Sequence, residues 1–134
     1  MRVVGCFLEY KDRFVLLRRH SHKPDGNTWG LPAGKVERDE SDVDAIIREL
    51  FEETGYQANV TELSLLGVYD FATPQGTTNN FVTYKLQLKT PHSIILEDSA
   101  HSEYKWTTAE EGYAMPDLIF GLHDLFKMTG YIKD

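Results

Sequence analysis

Three glutamates, Glu49, Glu52 and Glu53, fall within five positions of the stretch GKVERDESDVDAIIRELFEETGY, residues 34–56. Helical residues advance about 100° each. Counted from Glu49, Glu52 lies at about 300° and Glu53 at about 40°, so the three share one narrow arc. Val43, Ile46, Ile47, Leu50 and Phe51 fall between about 60° and 200°, an apolar face beside the acidic one. Ala45 sits among the carboxylates, and its small side chain leaves room there. Like charges at this spacing repel by only a few tenths of a kcal/mol per pair in water. Arg48 can pair with Glu52, but one cation does not neutralise three anions. A divalent cation could: Mg²⁺ takes hard oxygen ligands and shares them with water and substrate phosphates. Clustered carboxylates also supply a general base for activating water. The three glutamates alone leave a second reading open, a solvated acidic helix face.

The elements that would hold this helix can be traced along the chain. Val3–Tyr10 and Arg13–Arg19 are strand-like, and the short turn between them predicts a hairpin. Residues 20–34, with two prolines and three glycines, read as loop. The helix starts near Ser41 or Asp42 and closes at Gly55. The stretches QANVTEL, SLLGVYDFA and NNFVTYKLQLK then read as strands, with TPQGTT as a turn between the last two. SEYKWTT is a further short strand, and Thr108 with Glu111 forms a capping box. Pro116 is expected to open a last helix, in which Leu118, Leu122, Leu125 and Phe126 recur at helical spacing. The order predicts an α+β domain, a mixed sheet with helices packed on it, filling residues 1–134 as one domain.

Composition narrows the partners. The chain is 41% hydrophobic and 12% aromatic, enough for a real core. A net charge of −7 argues against an extended nucleic-acid backbone as partner. A small phosphorylated substrate remains compatible if a cation stands between it and the carboxylates. Cys6, the single cysteine, lies in an apolar run and reads as a buried thiol, which fits a reducing cytoplasm. No run reaches the roughly 18 apolar residues of a membrane span, and no signal peptide is evident. A cytoplasmic protein is expected.

Gly34, Glu40, Arg48, Glu49, Leu50, Glu52, Glu53 and Gly55 stand at the spacing G-x5-E-x7-R-E-U-x-E-E-x-G-U, where U is bulky and apolar. This closely resembles the Nudix box of the Nudix (MutT-type) hydrolases. The final U is filled by Tyr56, which is bulky but not aliphatic. The approach WGLPAGKVE and the strand order also look Nudix-like.

The resemblance implies an α/β/α sandwich around a mixed sheet, and hydrolysis of a nucleoside diphosphate linked to another moiety X, with Mg²⁺ or Mn²⁺ as cofactor. It implies Glu49, Glu52 and Glu53 as metal ligands, with Glu53 or Glu52 beside the attacking water. Gly34 would allow a tight turn and offer its carbonyl to a metal, Arg48 would orient the glutamates, and Glu40 would brace the box. A fourth carboxylate often comes from a later loop. Here Glu97, Asp98 and Glu103 are available, and Glu103, three before Trp106, best fits the family pattern.

Outside the box, Arg19 and Lys35 are candidates for a substrate phosphate, each equally readable as a solvated cation. Trp29, Tyr69 and Phe71 could stack on a base, although Trp29 and Phe71 also suit a core. Asp117 lies roughly where MutT-like members read a base, or is a first-turn acid favoured by a helix dipole. His20 and His22 read as surface histidines. A nucleoside triphosphate is the favoured substrate. A nucleotide sugar, a dinucleoside polyphosphate, or a non-catalytic nucleotide-binding module are the alternatives. Family members include dimers and monomers, so a homodimer is compatible.

Overall fold

The computed structural model describes residues 1–133. β1 (Arg2–Tyr10) and β2 (Arg13–Arg19) form the expected hairpin, and β1 also runs parallel to β6 (Thr78–Leu88). β5 (Leu63–Ala72) pairs antiparallel with β6 and forms one edge. β7 (His101–Thr107) pairs antiparallel with β2. Two short strands, β3 (Trp29–Gly30) on β2 and β4 (Ala33–Lys35) on β1, complete a mixed seven-stranded sheet.

Residues 3–8 of β1 and 14–17 of β2 carry no polar side chain because both faces of the sheet are covered there. Val4, Cys6, Leu8, Val15 and Leu17 pack on Ala45, Ile46 and Leu50 of α1 (Asp42–Thr54). The intervening Phe7, Phe14 and Leu16 pack on Leu122, Leu125 and Phe126 of α3 (Leu122–Met128). The period-two alternation thus separates two cores and gives the three-layered sandwich. Thr108 and Glu111 close their capping box over the short α2 (Ala109–Tyr113).

Three expectations change. Residues 57–62 are not a strand, and only Leu63 of QANVTEL joins β5. Val60–Glu62 is a 3₁₀ turn, in which the Asn59 N–H donates to Glu62 Oε1 at 2.9 Å. The last helix begins at Leu122, not Pro116. The Ile119 N–H donates to the Trp29 carbonyl at 2.8 Å, and the Trp29 N–H to the Asp117 carbonyl at 2.9 Å. Segment 117–119 therefore runs parallel beside β3 and pairs with it, and the helix waits for Gly121, at φ 88°. Within the stretch read as loop, residues 29–30 and 33–34 find strand partners. No described helix is long and apolar enough to cross a membrane.

Candidate active site

The box helix is phased by its ends. The Ser41 hydroxyl accepts the Asp44 N–H, and Gly55, at φ 76°, donates its N–H to the Phe51 carbonyl. The arc that then faces the sheet holds Ala45, Ile46, Glu49, Leu50 and Glu53, whereas Glu52 and Phe51 face solvent. Two of the three glutamates are therefore buried, Glu49 to 9% and Glu53 to 7% exposure. The acidic arc is not a solvated helix face.

β4 receives both. The Ala33 N–H donates to Glu53 Oε1 at 2.8 Å. The Glu49 carboxylate lies against Gly34 so closely that a Cβ there would sit 2.5 Å from Glu49 Oε2. Arg48 gathers the rest. Its Nε and Nη2 donate to the two oxygens of Glu40 at 2.8 and 3.0 Å. Nη1 donates to Glu49 Oε1 at 2.6 Å and to Glu52 Oε1 at 3.2 Å, and Nη2 also reaches the Lys35 carbonyl at 3.1 Å. Glu40 additionally accepts the Glu37 N–H at 2.9 Å. It braces the box by pairing with Arg48 rather than by capping α1, whose cap is Ser41.

The electrostatics follow. The Arg48 guanidinium holds the Glu40 carboxyl down at about 2. Burial raises Glu49 despite Arg48, and burial together with the Glu49 charge raises Glu53 well above the usual carboxylate range. Two neighbouring buried carboxyls, with the Glu49 charge raising Glu53, favour a shared proton or a bound cation. Their hard oxygens suit Mg²⁺ or Mn²⁺. Among the described residues no three His, Cys, Asp or Glu side chains converge as a preformed cage. Glu49 and Glu53 converge, and Glu52 is turned onto Arg48.

Of the later carboxylates, Glu97 is the one whose charge reaches Glu53. Its loop is pinned to the end of α1, where the Ile95 N–H donates to the Thr54 carbonyl at 2.9 Å and the Ile95 side chain covers Gly55. Glu103, the expected fourth carboxylate, lies on β7 opposite Arg18 and forms an ion pair with it at 2.7 Å. Asp98 is exposed.

A cleft of about 610 Å³ opens beside the box. Arg19, Gly34, Lys35 and His101 line it from β2, β4 and β7, and Phe71, Asn79 and Phe81 from β5 and β6, with Phe120 beyond them. Arg19 is fixed by its Nε, which donates to the Pro24 carbonyl at 2.8 Å. Of the outlying candidates, Arg19, Lys35 and Phe71 reach the cleft. Trp29 and Asp117 do not line it. Their backbones bond to each other, Trp29 packs in the α3-side core, and Asp117 is exposed. Tyr69 also packs in that core.

Three cleft residues escaped the sequence analysis. Asn79 sits directly opposite Phe71, a register legible only once the hairpin turn is placed. Phe120 falls inside the segment expected to be the last helix, where the chain instead pairs with β3 before turning at Gly121. His101 is 5% exposed, and its Nδ1 has no partner. Burial, with Arg19, His20 and Lys23 nearby, pushes its imidazole down to about 4.

The NUDIX domain model matches residues 1–125. A MutT-like protein of Streptomyces ambofaciens is 31% identical over 109 residues, 81% of this chain and 64% of that protein. The CTP pyrophosphohydrolase of Escherichia coli is 37% identical over 62 residues, 46% of each chain. The chain thus spans less than two thirds of these curated relatives' length. A MutT protein from Methanosarcina mazei superposes with a TM-score of 0.81 at 24% identity, covering 97% of this chain and 92% of that one. The NUDIX domain of Shewanella oneidensis NrtR, complexed with ADP ribose, gives 0.79 at 22% identity, covering 97% and 86%. With the box, the sandwich and a family match over residues 1–125 in agreement, the chain belongs to the Nudix family.

Proposed function

We propose that this chain hydrolyses a phosphoanhydride bond in a nucleoside diphosphate linked to another group, with Mg²⁺ or Mn²⁺, and that a nucleoside triphosphate is the favoured substrate. The observation that carries the proposal is the buried Glu49–Glu53 pair, seated against Ala33 and Gly34 and beside a cleft of about 610 Å³. That volume is within the range of a nucleotide-sized ligand site. The MutT-like and CTP pyrophosphohydrolase relatives support a nucleotide substrate.

Glu49 and Glu53 would hold the cation, joined by Glu52 and by Glu97 from the later loop, with the Gly34 carbonyl nearby. Bound there, the cation would neutralise phosphate charge and make a water more acidic. Arg48 positions Glu49 and Glu52, and Glu40 locks Arg48 in a two-pronged pair. Glu53, with Oε1 fixed by the Ala33 N–H, takes the proton of the attacking water. Arg19 and Lys35 meet the phosphates from the cleft wall.

The test is a product analysis with Mg²⁺ across nucleoside triphosphates, nucleotide sugars, ADP-ribose and dinucleoside polyphosphates, alongside Glu53→Gln. Turnover of nucleoside triphosphates, lost by several orders of magnitude in the variant, is expected. Equal turnover in the variant would refute the role of Glu53. Turnover of another class alone would refute the favoured substrate.

A further inference from the structure

The wall of the cleft formed by β5 and β6 has a chemistry the box does not use. Phe71 and Asn79 are directly opposed across the β5–β6 pair, so both side chains leave the same face. Phe81, two residues on, shares that face, and its ring lies over Gly5, where a Cβ would come within 2.5 Å of it. Phe71 meets Phe81 edge to face, with centroids 6.5 Å apart at 85°. From the α3 side, Gly121 packs against the Phe71 ring, since a Cβ there would meet Phe71 Cδ1 at 3.3 Å. The residue before it, Phe120, lines the cleft with 64% of its surface exposed.

Asn79 is the second observation. On the opposite face of the same ladder, Asn80 is satisfied, its Nδ2 donating to Asp70 Oδ1 at 2.6 Å. Asn79 Oδ1 is buried and has no hydrogen-bond partner. A buried amide oxygen without a partner is costly, and a turn of the Asn79 side chain into the cleft would let a ligand supply the missing bond. Phe120 likewise exposes an aromatic ring at a position where nothing in the core requires one.

We propose that Phe120 and Phe71 hold the nucleobase by stacking and that Asn79 selects among bases by pairing its amide with the base edge. This rests on the nucleotide reading above and names residues that set its base specificity. Stacking accepts any planar base and supplies affinity. An asparagine amide offers an acceptor and a donor side by side, so it discriminates bases by the order of donor and acceptor on their edges.

The test is calorimetric binding of the four α,β-methylene nucleoside triphosphates with Mg²⁺, using wild type, Phe120→Ala, Phe120→Trp and Asn79→Ala. Phe120→Ala is expected to raise Kd about tenfold for every base, the size of one base–aromatic stack, with Phe120→Trp restoring it. Asn79→Ala is expected to bring the four Kd values to within about twofold of one another, with a melting temperature unchanged or higher, because it removes an unpaired buried polar group. A purely structural Asn79 would instead lower the melting temperature and leave the base ranking intact. Unmoved Kd values in Phe120→Ala, an intact ranking in Asn79→Ala, or no nucleotide binding by wild type would each overturn the proposal. Hydrolysis of the natural nucleotides, measured separately, keeps the two claims apart. Turnover with unmoved Kd values overturns this inference alone, whereas binding through Phe120 without turnover overturns the hydrolase assignment alone.

Discussion

Gly34→Ala should damage both activity and stability, through the displacement of one carboxylate. Gly34 does not adopt a positive φ, so alanine imposes no backbone strain there. The added methyl would stand 2.5 Å from Glu49 Oε2, and ordinary contact begins at 3.4 Å. The carboxylate must therefore retreat by about 1 Å. A misplacement of that size in a catalytic constellation costs about a hundredfold in rate. The same retreat disturbs the 2.6 Å bond from Arg48 Nη1 to Glu49 Oε1, which adds a stability loss of about 1.5–3 kcal/mol for a charge-assisted hydrogen bond. The assay is kcat on the best substrate with saturating Mg²⁺, beside a urea unfolding curve. Gly130→Ala serves as a control, because Gly130 has φ 89° and nothing within 4 Å of a Cβ. It should cost stability and leave kcat alone. A kcat for Gly34→Ala within a fewfold of wild type would refute the argument that the glutamate needs the space of a missing side chain.

Arg48→Met should destabilise the protein, because removing the guanidinium leaves the buried Glu49 carboxylate uncompensated. Adding Glu49→Gln should recover part of that loss in unfolding experiments, and strict additivity would show the two are uncoupled. Glu97→Gln should lower kcat strongly, whereas Glu103→Gln should lower it less than twofold and cost no more than about 1 kcal/mol through its surface pair with Arg18; the reverse order would reinstate Glu103. The His101 contribution to folding stability should fall as pH drops from about 6.5 to about 4, while the raised Glu49 and Glu53 carboxyls contribute with the opposite sign. The unfolded His101 imidazole binds a proton near the upper value and the folded one only at about 4, so the unfolded chain holds more protons in that window. His101→Gln should flatten this slope in urea midpoints measured against pH, and an unchanged slope would assign it to other groups.

The box helix was legible because its signals are local: Ser41 at one end, Gly55 at the other, and apolar residues at helical spacing between them. The split of the glutamates was less so. Helical angles put all three on one arc, but which edge of that arc turns inward depends on β4, a three-residue strand too short to show periodicity. Pro116 carried a helix-start signal that lost to backbone pairing with Trp29. Asn59 and Glu62 stand at capping spacing, yet the β-branched residues around them suggested a strand. Glu103 fitted the spacing to Trp106, but the register of β7 against β2 gave it Arg18 instead. Asn79 and Phe120 join the cleft through contacts made far along the chain, which no local pattern records.

The central claim is that the buried Glu49–Glu53 pair holds a divalent cation. Mn²⁺ binding followed by electron paramagnetic resonance tests it most directly, with wild type, Glu53→Gln and Glu103→Gln compared at one pH and without nucleotide. The account predicts a site that is lost or weakened at least tenfold in Glu53→Gln and retained in Glu103→Gln. Equal Mn²⁺ affinity in wild type and Glu53→Gln would contradict it.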